Sequence, residues 1–296
     1  MNYPKISVIT PSYNQGQFLE ETIISVIGQG YPNLEYIVMD GGSSDNSKEI
    51  LQKYNDQITF WVSEKDTGQS NAINKGFRMA TGEILCWLNS DDMFMPNALF
   101  YMSMIADVSK RSVYFGNCIH FKNSNGNLTT YGSNAIASAT NHLLRHLDYI
   151  IQPSSFWTRA AWLSTGPLKE EFHFAFDWEW FLRAEQNGVD FVPLQECLSM
   201  YRIHAEHKTG SGGEARQKEI ISISHIFAPQ RVPLLQHLQN ESWNFKGIHF
   251  KFLRVLMRIL RVPYSDNRLL KLYRWNKYRS FQPTDMDESR SMLFLQ

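Results

Sequence analysis

Acidic side chains recur at three places in the first third of the chain, each directly after a run of residues typical of a β-strand. The three groups are Asp40, then Glu64 with Asp66, then Asp91 with Asp92. Because the carboxyl ends of strands in an open α/β sheet form its ligand-binding edge, we expect these carboxylates to lie close together. Carboxylates suit a ligand that carries hydroxyls, an imide and a metal-bridged diphosphate. The pattern therefore predicts a nucleotide-sugar site.

The first hundred residues alternate between strand and helix patterns. Strands are predicted over residues 5–10, 34–40, 58–64 and 83–88, with helices over 16–28, from about residue 45, and over 69–80. Strands that alternate with helices of this length imply right-handed βαβ units and a mostly parallel sheet. Pro96 fits the first turn of a further helix.

After residue 110 this alternation weakens. The patterns predict a hairpin over 113–131 with its turn at 123–127, a strand over 152–157, a helix over 178–187, an extended segment over 191–203 that Pro193 interrupts, and a helix over 214–227. The predicted fold class is α/β: a mostly parallel sheet with flanking helices, followed by a C-terminal helical extension.

Length and composition limit the alternatives. A chain of 296 residues with 43% hydrophobic content holds one large domain, or one domain with appendages. Its three cysteines (Cys86, Cys118 and Cys197) form no Cys-x-x-Cys pair, so they indicate neither a zinc ribbon nor a disulfide framework. The N-terminus opens into a strand without a signal-peptide pattern, and no apolar run approaches about 20 residues. We therefore expect a cytoplasmic protein.

The formal net charge is zero, but the two signs are unevenly distributed along the chain. Residues 1–241 contain 18 Lys plus Arg against 25 Asp plus Glu, a net charge of −7. Residues 243–279 contain 10 against 1, a net charge of +9. The sequence thus predicts an acidic globular body with a basic tail.

The basic tail contains a helical pattern. Four basic residues follow one another at spacings of three, four and three, at Lys251, Arg254, Arg258 and Arg261, and aliphatic residues surround them. This pattern is typical of an interfacial helix on an anionic membrane, which would give the protein peripheral membrane contact. A helix packed on the body or on a partner subunit is the alternative. We expect no nucleic-acid binding, because the run is more aliphatic than segments that read a groove.

Four short motifs resemble those of family-two glycosyltransferases of the GT-A fold. They are Thr-Pro-Ser-Tyr-Asn-Gln at 10–15, Asp-Gly-Gly-Ser-Ser-Asp at 40–45, Ala-Ile-Asn-Lys-Gly at 72–76, and Leu-Asn-Ser-Asp-Asp at 88–92 followed by Pro96. The resemblance is dense up to about residue 100 and thinner up to about residue 208. It implies a Rossmann-like GT-A domain with a nucleotide-sugar-binding half at 1–100 and an acceptor-binding half at 101–228. The helical basic extension would occupy 229–296.

The resemblance also implies roles at the nucleotide-sugar site. Asp40 matches the carboxylate that accepts a hydrogen bond from the uracil imide, and Asp66 lies where relatives hold the uridine. The alternatives are that Asp40 caps the turn that follows it and that Glu64 is only a solvated strand end. Further contacts with the nucleotide sugar are expected at Pro11, Tyr13, Asn14, Gln69, Lys75, Asn89, Ser90 and Asp91.

A divalent metal is implied as well, either Mn²⁺ or Mg²⁺. Asp91 and Asp92 resemble the family's Asp-x-Asp metal motif, but Asn89 stands where its first Asp commonly occurs. This places the metal mainly on Asp91, with Asp92 as a helper, whereas an N-cap pair is the alternative. His204 resembles a family histidine near the metal and the diphosphate, although a structural histidine remains open. Arg202 is a candidate phosphate contact.

The second half should supply the catalytic base. Residues 176–183 resemble a family segment in which an Asp heads a helix below the acceptor, and this match places the base at Asp177. An acceptor hydroxyl needs such a carboxylate to take its proton. Helix N-capping is the alternative for Asp177, and Glu179 is the second candidate base. The loop after His204 is expected to close over the bound sugar donor.

Together these features predict an inverting, metal-dependent transfer from a nucleoside diphosphate sugar, with UDP favoured, to a saccharide or lipid-linked saccharide. The resemblance places this reaction in O-antigen, capsule or exopolysaccharide synthesis at the inner face of the membrane. A nucleotidyltransferase is disfavoured, because residues 11–16 lack a basic, glycine-rich triphosphate signature. A non-catalytic nucleotide-sugar-binding protein is the other alternative. Asn89 supports it slightly, and Asp91, Asp92 and Asp177 oppose it.

Overall fold

The computed structural model describes residues 3–124, 127–133, 135–204, 208, 212–244 and 283–294. The chain divides into two compact units, one made of residues 1–142 and 149–211, the other of residues 143–148 and 212–296. The basic stripe predicted over 251–261 lies outside the described residues. Its structure and its contact with a membrane therefore remain predictions.

A nine-stranded sheet runs through the described part of the first unit. Its strands are β1 (Ile6–Ser12), β2 (Leu34–Asp40), β3 (Phe60–Ser63), β4 (Ile84–Trp87), β5 (Met93–Phe94), β6 (Ser112–Ser124), β7 (Asn127–Gly132), β8 (Ser155–Thr158) and β9 (Asp190–Arg202). They lie in the order β3-β2-β1-β4-β8-β6-β9-β5, and β7 pairs with β6. β1 and β4 are buried along their whole length, so they form the centre of the core.

Helices connect these strands. They are α1 (Gly16–Ile27), α2 (Ser47–Lys53), α3 (Gln69–Met79), α4 (Ala98–Ile105), α5 (Ala135–Asn141), α6 (Arg159–Thr165) and α7 (Phe176–Gln186). The α/β fold class is thereby confirmed.

β1 pairs in parallel with β2 and β4, and β2 pairs in parallel with β3. β8 is antiparallel to both β4 and β6, so the sheet as a whole is mixed.

Three details differ from the sequence-based expectations. Helix α4 begins at Ala98, so Pro96 precedes it instead of lying in its first turn. β9 continues through Pro193, because the neighbouring strand β6 shifts register directly after the residue that pairs with this proline. A short 3₁₀ helix, Gln152–Ser154, occupies the start of the predicted strand at 152–157.

Aromatic side chains fill the space between the sheet and the helices α3, α6 and α7. Trp157 lies on β8, and its ring centroid is 5.2 Å from that of Trp87 on β4 and 4.8 Å from that of Trp180 on α7. Phe77 on α3 contacts Trp162 on α6, with the ring centroids 4.4 Å apart. These rings connect the helix that carries Asp177 to the strand that leads to Asp91.

The second unit is helical in its described part. It contains α8 (Gly213–Phe227), a 3₁₀ turn (Pro229–Arg231), α9 (Val232–Asn244) and α10 (Pro283–Phe294), and the three α-helices contact one another. The helix predicted over 214–227 is confirmed as α8. Arg231 holds α10 through Ser289 Oγ, 2.7 Å from its Nη2. Among the described residues, no helix combines the length and the apolar character needed to cross a bilayer.

Candidate functional site

The candidate site lies where β1, β2, β3 and β4 end. We call residues 12–16, 40–46, 63–69 and 88–92 the carboxyl edge. The first three of these strands pair in register, so that Ser12 lies beside Asp40 and Asp40 beside Ser63. The parallel pairing therefore brings the predicted nucleotide-sugar residues to one edge of the sheet. Their individual roles remain predictions.

Asp40 is buried, and its carboxylate is held by the turn that follows it. Asp40 Oδ2 accepts hydrogen bonds from the backbone N–H groups of Gly42 and Ser43, at 3.2 and 2.9 Å. The hydroxyls of Ser43 and Ser63 also donate to this carboxylate. This geometry matches the turn-capping alternative. A uracil imide would have to share the carboxylate with these partners.

Asn14 connects the end of β1 to the same turn. Its backbone N–H donates to Ser43 Oγ at 2.7 Å, and its side-chain oxygen accepts from the Ser44 N–H at 2.9 Å. Asn14 has a positive φ of 51°, a conformation that asparagine tolerates better than most residues. Pro11, another predicted nucleotide-sugar contact, is buried within β1. Its side chain is therefore less accessible to a ligand than that of Asn14.

Asp45 connects the turn after β2 to the start of helix α1. Asp45 Oδ2 accepts from the Gly16 N–H at 2.8 Å, and Oδ1 accepts from the N–H and the hydroxyl of Ser47. Partial burial raises the pKa of this carboxyl, but the hydrogen bonds from Ser47 and Gly16 outweigh it, so the pKa is lowered overall. Asp45 is therefore an ionised anchor of the loop.

Gly41 is enclosed by two predicted ligand contacts. A Cβ placed on Gly41 would lie 2.8 Å from Asp66 Oδ2 and 3.2 Å from Cδ2 of Tyr13. The Tyr13 side chain is 63% exposed, so this ring lies open at the carboxyl edge. The Asp66 carboxylate accepts from the Gly68 N–H at 2.9 Å, and Gly68 has a φ of 134° that favours glycine.

Lys75 and Glu64 form a partly exposed ion pair beside the edge. Lys75 Nζ lies 2.8 Å from Glu64 Oε1, and 27% and 54% of the two side chains are exposed. Exposed pairs of this kind contribute little to stability. Lys75, a predicted nucleotide-sugar contact, is thus already engaged with Glu64.

Asp91 and His204 contact each other directly. Asp91 Oδ2 lies 2.9 Å from His204 Nε2, and the two side chains are largely buried. The His204 ring packs against Phe18 of α1, with the ring centroids 4.8 Å apart. The fold therefore brings together two of the three predicted metal residues.

Asp92, the third predicted metal residue, faces the protein interior. Its Oδ1 accepts from the Arg202 N–H at 3.0 Å, and its Oδ2 lies 3.4 Å from Asn89 Nδ2. Burial and then the charge of Asp91 raise the pKa of the Asp92 carboxyl well above its usual range. Asp92 is consequently disfavoured as a charged metal ligand, which leaves Asp91 as the candidate carboxylate of the pair.

Arg202 is fixed by neighbours on both sides. Its guanidinium lies 4.6 Å from the ring centroids of Phe18 and Phe121. Its Nε donates to the Asp91 carbonyl at 3.0 Å, and its Nη2 pairs with Glu21. This arrangement supports a structural role in holding Asp91, and it leaves the predicted phosphate contact unsupported.

A chain of polar side chains crosses the carboxyl edge. Lys208 Nζ donates to Gln69 Oε1 at 2.8 Å, and Gln69 Nε2 donates to Asn89 Oδ1 at 2.8 Å. Asn89 Nδ2 in turn lies 3.4 Å from Gln152 Oε1. Lys208 Nζ also lies 5.0 Å from the ring centroid of Phe176. Lys208 thereby contacts both the carboxyl edge and the start of α7.

Asp177 is the second residue of α7 and follows Phe176 directly. The N-cap residue is Ala175, so Asp177 is not the N-cap. Asp177 Oδ1 accepts from the Trp178 N–H at 2.8 Å, and its side chain is partly exposed. A carboxylate in the first turn of a helix interacts favourably with the helix dipole.

Glu179, the second candidate base, is fully buried within an ion-pair cluster. Its carboxylate accepts hydrogen bonds from Arg183 Nε at 3.0 Å and from Arg183 Nη2 at 2.9 Å. Lys169 Nζ lies 3.2 Å from the same carboxylate. A carboxylate with no exposed surface and two cationic partners is fixed inside the fold and is not placed to reach an acceptor.

The ligand types at the edge fit a divalent cation. A carboxylate suits Mg²⁺ or Mn²⁺, and the imidazole of His204 adds a nitrogen ligand beside Asp91, so the two residues offer a mixed oxygen and nitrogen ligand pair. In the described part of the second unit, His146, Asp285 and Glu288 also bring three ligand atoms within 4.8 Å of one another. Arg231 Nη1 lies 2.5 Å from Glu288 Oε2, so an ion pair already accounts for that group.

Three residues of the first unit were not singled out from the sequence. Lys208 belongs to the run predicted as a polar loop after His204, most of which lies outside the described residues, and the sequence gives it no local pattern. Asn74 and Glu170 contact each other, with Asn74 Nδ2 3.0 Å from Glu170 Oε1, although 96 positions separate them. Asn74 lies within the Ala-Ile-Asn-Lys-Gly motif, which was the only available signal. No local pattern marks Glu170.

Comparison with known proteins defines the class. The family model described as Glycosyl transferase family 2 matches residues 7–165. An uncharacterized glycosyltransferase of Nostoc sp. is 33% identical over 230 residues, which cover 73% of this chain and 70% of that protein. The chain therefore belongs to glycosyltransferase family 2, and it is a glycosyltransferase.

A functionally named relative matches a shorter part of the chain. The GalNAc(5)-diNAcBac-PP-undecaprenol beta-1,3-glucosyltransferase of Campylobacter jejuni is 36% identical over 126 residues. These residues cover 41% of this chain and 40% of the relative. The similarity thus spans less than half of either protein.

Solved structures confirm the GT-A fold. Residues 1–349 of TarS from S. aureus in complex with UDP-GlcNAc give a TM-score of 0.62 at 17% identity, covering 98% of this chain and 90% of that one. The mannosyltransferase PcManGT from Pyrobaculum calidifontis, in complex with GDP-Man and Mn²⁺, gives 0.61 at 14% identity, with coverages of 99% and 86%. At these identities the similarity is one of fold.

Proposed function

We propose that this chain is an inverting, metal-dependent glycosyltransferase that moves a sugar from a nucleoside diphosphate to a saccharide or lipid-linked saccharide. The observation that carries the proposal is the contact between Asp91 and His204 at the carboxyl edge, beside the polar chain that Lys208 extends to the start of α7. A site for a charged leaving group and a candidate base thereby lie in one unit.

The nucleotide would lie on the carboxyl edge. The exposed Tyr13 ring beside Gly41 offers a stacking surface for a base, and Asp66 lies against the same glycine. Asn14 and Asp40 hold the intervening turn. UDP is favoured because of the family resemblance and because TarS, a protein with the same fold, binds UDP-GlcNAc.

Transfer would be a single displacement. The acceptor oxygen attacks the anomeric carbon, the bond from that carbon to the phosphate oxygen breaks, and Asp177 takes the hydroxyl proton. Attack from the face opposite the leaving group inverts the anomeric configuration. An α-linked nucleotide sugar would therefore give a β-glycoside, with no covalent glycosyl-enzyme intermediate.

Asp91 and His204 are the residues that would hold the metal. A bound Mn²⁺ supplies Lewis-acid stabilisation of the diphosphate charge as the leaving group departs. PcManGT is precedent for Mn²⁺ in this fold. Arg202 keeps Asp91 in place through its carbonyl, and Asp92 holds Arg202 in turn.

The acceptor proposal comes from relatives. The Campylobacter relative is named for an undecaprenol-linked acceptor, which supports a lipid-linked saccharide in cell-surface polysaccharide synthesis.

We further propose that the basic segment at 251–261 brings the enzyme to anionic membranes. Binding to vesicles with and without anionic lipid, compared with a variant in which Lys251, Arg254, Arg258 and Arg261 become Gln, tests this contact. Equal binding by the two proteins would contradict it.

The reaction can be tested by nucleoside diphosphate release. UDP-, GDP- and dTDP-sugars are supplied one at a time with a membrane extract as the source of acceptor, in Mn²⁺ or in EDTA. We expect release from one sugar donor that requires the metal. Absence of release together with a UDP-induced rise in melting temperature in Mn²⁺ would support the binding-only alternative. No response in either assay would contradict the nucleotide-sugar site itself.

A further inference from the structure

The segment from Thr165 to Glu170, which we call the bracket segment, joins α6 to the loop before α7. Four consecutive backbone carbonyls in it accept hydrogen bonds from side chains of other elements. Arg183 bonds the carbonyls of Thr165 and Pro167, Trp180 Nε1 bonds that of Gly166 at 2.9 Å, and Asn74 Nδ2 bonds that of Leu168 at 2.9 Å. Helix α7 thus holds the first three carbonyls, and helix α3 holds the fourth.

The contact with α3 is a two-point contact. Asn74 is buried, and besides donating to the Leu168 carbonyl it accepts from the Leu168 N–H at 2.9 Å. A primary amide that pairs with both polar groups of one peptide residue fixes the position of that backbone more tightly than a single bond would. Leu168 itself is buried, so its side chain adds to the anchoring.

Glu170 adds a second connection between the bracket segment and α3. Its carboxylate accepts from Asn74 Nδ2 at 3.0 Å and from Asn71 Nδ2 at 2.9 Å. The hydrogen bond from Asn74 is the main cause that lowers the pKa of Glu170. The carboxylate is therefore ionised at neutral pH and is oriented by α3.

The two helices that hold the bracket segment carry different parts of the site. Helix α3 begins at Gln69, which bonds Asn89 at the carboxyl edge. Helix α7 has Asp177 in its first turn. The bracket segment is thus a rigid connection from the nucleotide-binding edge to the proposed base.

We propose that Asn74 and Glu170 are positioning residues that set the distance from Asp177 to the carboxyl edge through the bracket segment. The proposal rests on the function proposed above, with Asp177 as base. Neither residue needs to contact a substrate. Their loss should impair the transfer step, while the nucleotide contacts of the carboxyl edge stay intact.

The test exchanges the two functional groups. Asn74→Asp has the same shape but replaces the amide donor with an oxygen that faces the Leu168 carbonyl and the Glu170 carboxylate. Glu170→Gln in the same chain supplies a new donor to the carboxylate introduced at position 74 and restores the original total charge. Asn187→Ala is the control, because Asn187 Nδ2 bonds the Ser164 carbonyl at 3.0 Å from the other end of α7. It removes a similar bond just outside the bracket segment.

For Asn74→Asp we expect kcat for transfer to fall between about 10- and 100-fold, because an error of about 1 Å in a reacting group costs that much. KM for the nucleotide sugar should change less than about threefold. The double variant should recover about threefold or more of kcat, as coupled neighbours do. Asn187→Ala should behave as the parent protein. Equal kcat in Asn74→Asp and Asn187→Ala, or no recovery in the double variant, would overturn the proposal.

Amide hydrogen exchange separates this proposal from the proposed function. In Asn74→Asp, exchange should accelerate over residues 168–179 and stay unchanged over 34–46, whether or not the protein turns over a sugar donor. If the parent protein shows no transfer but this exchange pattern appears, the bracket segment exists and the proposed function fails. Unchanged exchange over 168–179 would overturn the bracket segment itself.

Discussion

The carboxyl edge and the bracket segment hold their functional groups in different ways. At the carboxyl edge, three carboxylates bond residues that follow within three positions: Asp40 bonds Ser43, Asp45 bonds Ser47, and Asp66 bonds Gly68. Longer contacts, such as the one between Asp91 and His204, add to these local bonds. In the bracket segment, the bonding partners are 14 positions away for Trp180 and 94 positions away for Asn74.

This difference distinguishes the part of the protein proposed to bind the nucleotide from the part proposed to place the catalytic base. A turn that caps its own carboxylate can form locally once its strand is in place, so the turns after β2 and β3 depend less on distant segments than the bracket segment does. A base held by contacts between distant segments is placed only when α3, α6 and α7 have all packed. Binding of the nucleotide and transfer of the sugar should therefore be separable by mutation.

A large effect is expected from Asp91→Ala, because this carboxylate contacts His204 at the proposed metal site. We expect kcat/KM for metal-dependent transfer to fall about 10³-fold, on the scale of losing a principal electrostatic contact to the leaving group. Steady-state rates across a Mn²⁺ titration measure this loss. Lys122→Ala, on β6, is a control for general effects. Activity within about threefold of the parent protein would remove Asp91 from the metal site.

Breaking the buried cluster of Glu179 should show how strongly the packing of α7 depends on this cluster of ion pairs. Glu179→Gln removes the charge that Arg183 and Lys169 share, and breaking a buried pair costs about 3 kcal/mol in the free energy of unfolding. Urea denaturation measures the change. Glu185→Gln, an exposed position on the same helix, should stay within about 0.5 kcal/mol of the parent protein. Equal stabilities of the two variants would show that the cluster is dispensable.

Glu35 lies on β2 at the end of the sheet opposite the carboxyl edge, and its contribution to stability should depend on pH. Burial opposes ionisation of Glu35, but hydrogen bonds from Ser7 and Thr81, with Lys5 beside them, lower its pKa to about 2. Since the folded pKa lies below the unfolded one, the contribution is complete above about pH 4.5 and is lost as the pH falls toward 2.

We expect this contribution of Glu35 to be about 3 kcal/mol at neutral pH. The parent protein and Glu35→Gln should therefore differ by that amount in their free energy of unfolding at pH 6, and the difference should shrink at pH 3. A difference that stays constant between the two pH values would contradict the assignment.

The smallest effect tests whether the turn after β2 holds Asp40 by itself. Ser63 donates to Asp40 from the next strand, 23 positions away, whereas Ser43 donates to the same carboxylate from within the turn. Ser63→Ala should cost about 1 kcal/mol of stability, the value of one hydrogen bond. UDP affinity, measured by calorimetry, should change less than about threefold. A loss of UDP binding in this variant would show that the turn after β2 cannot hold Asp40 alone.

The first four strands and the helices between them follow from the sequence, because their apolar periodicity and glycine-rich turns are local signals. The same signals place Asp40, Asp66 and Asp91 on one edge. The pairing of β8 between β4 and β6 does not follow, since antiparallel insertion after a long connection has no local pattern. Continuity of β9 through Pro193 also required knowledge of the register shift in β6.

At the site, the types of the functional residues were easier to predict from the sequence than the positions and contacts of their side chains. The sequence indicates a carboxylate at 91 and at 92, but only the fold shows that Asp92 turns inward and that Arg202 is enclosed by two phenylalanine rings. Glu170 could not be found from the sequence, because an exposed Glu in a loop has no distinguishing local environment. Its importance comes from contact with Asn74.

The most direct test of this account compares binding and transfer in Asp177→Asn. The amide keeps the size and shape of the carboxylate but cannot accept the acceptor proton. We predict that UDP affinity in Mn²⁺, measured by calorimetry, stays within about threefold of the parent protein, whereas transfer falls by about 10³-fold or more, within the range for loss of a general base. Parent-like transfer would contradict Asp177 as the base. A parallel loss of UDP binding would contradict the separation of the carboxyl edge from the acceptor side.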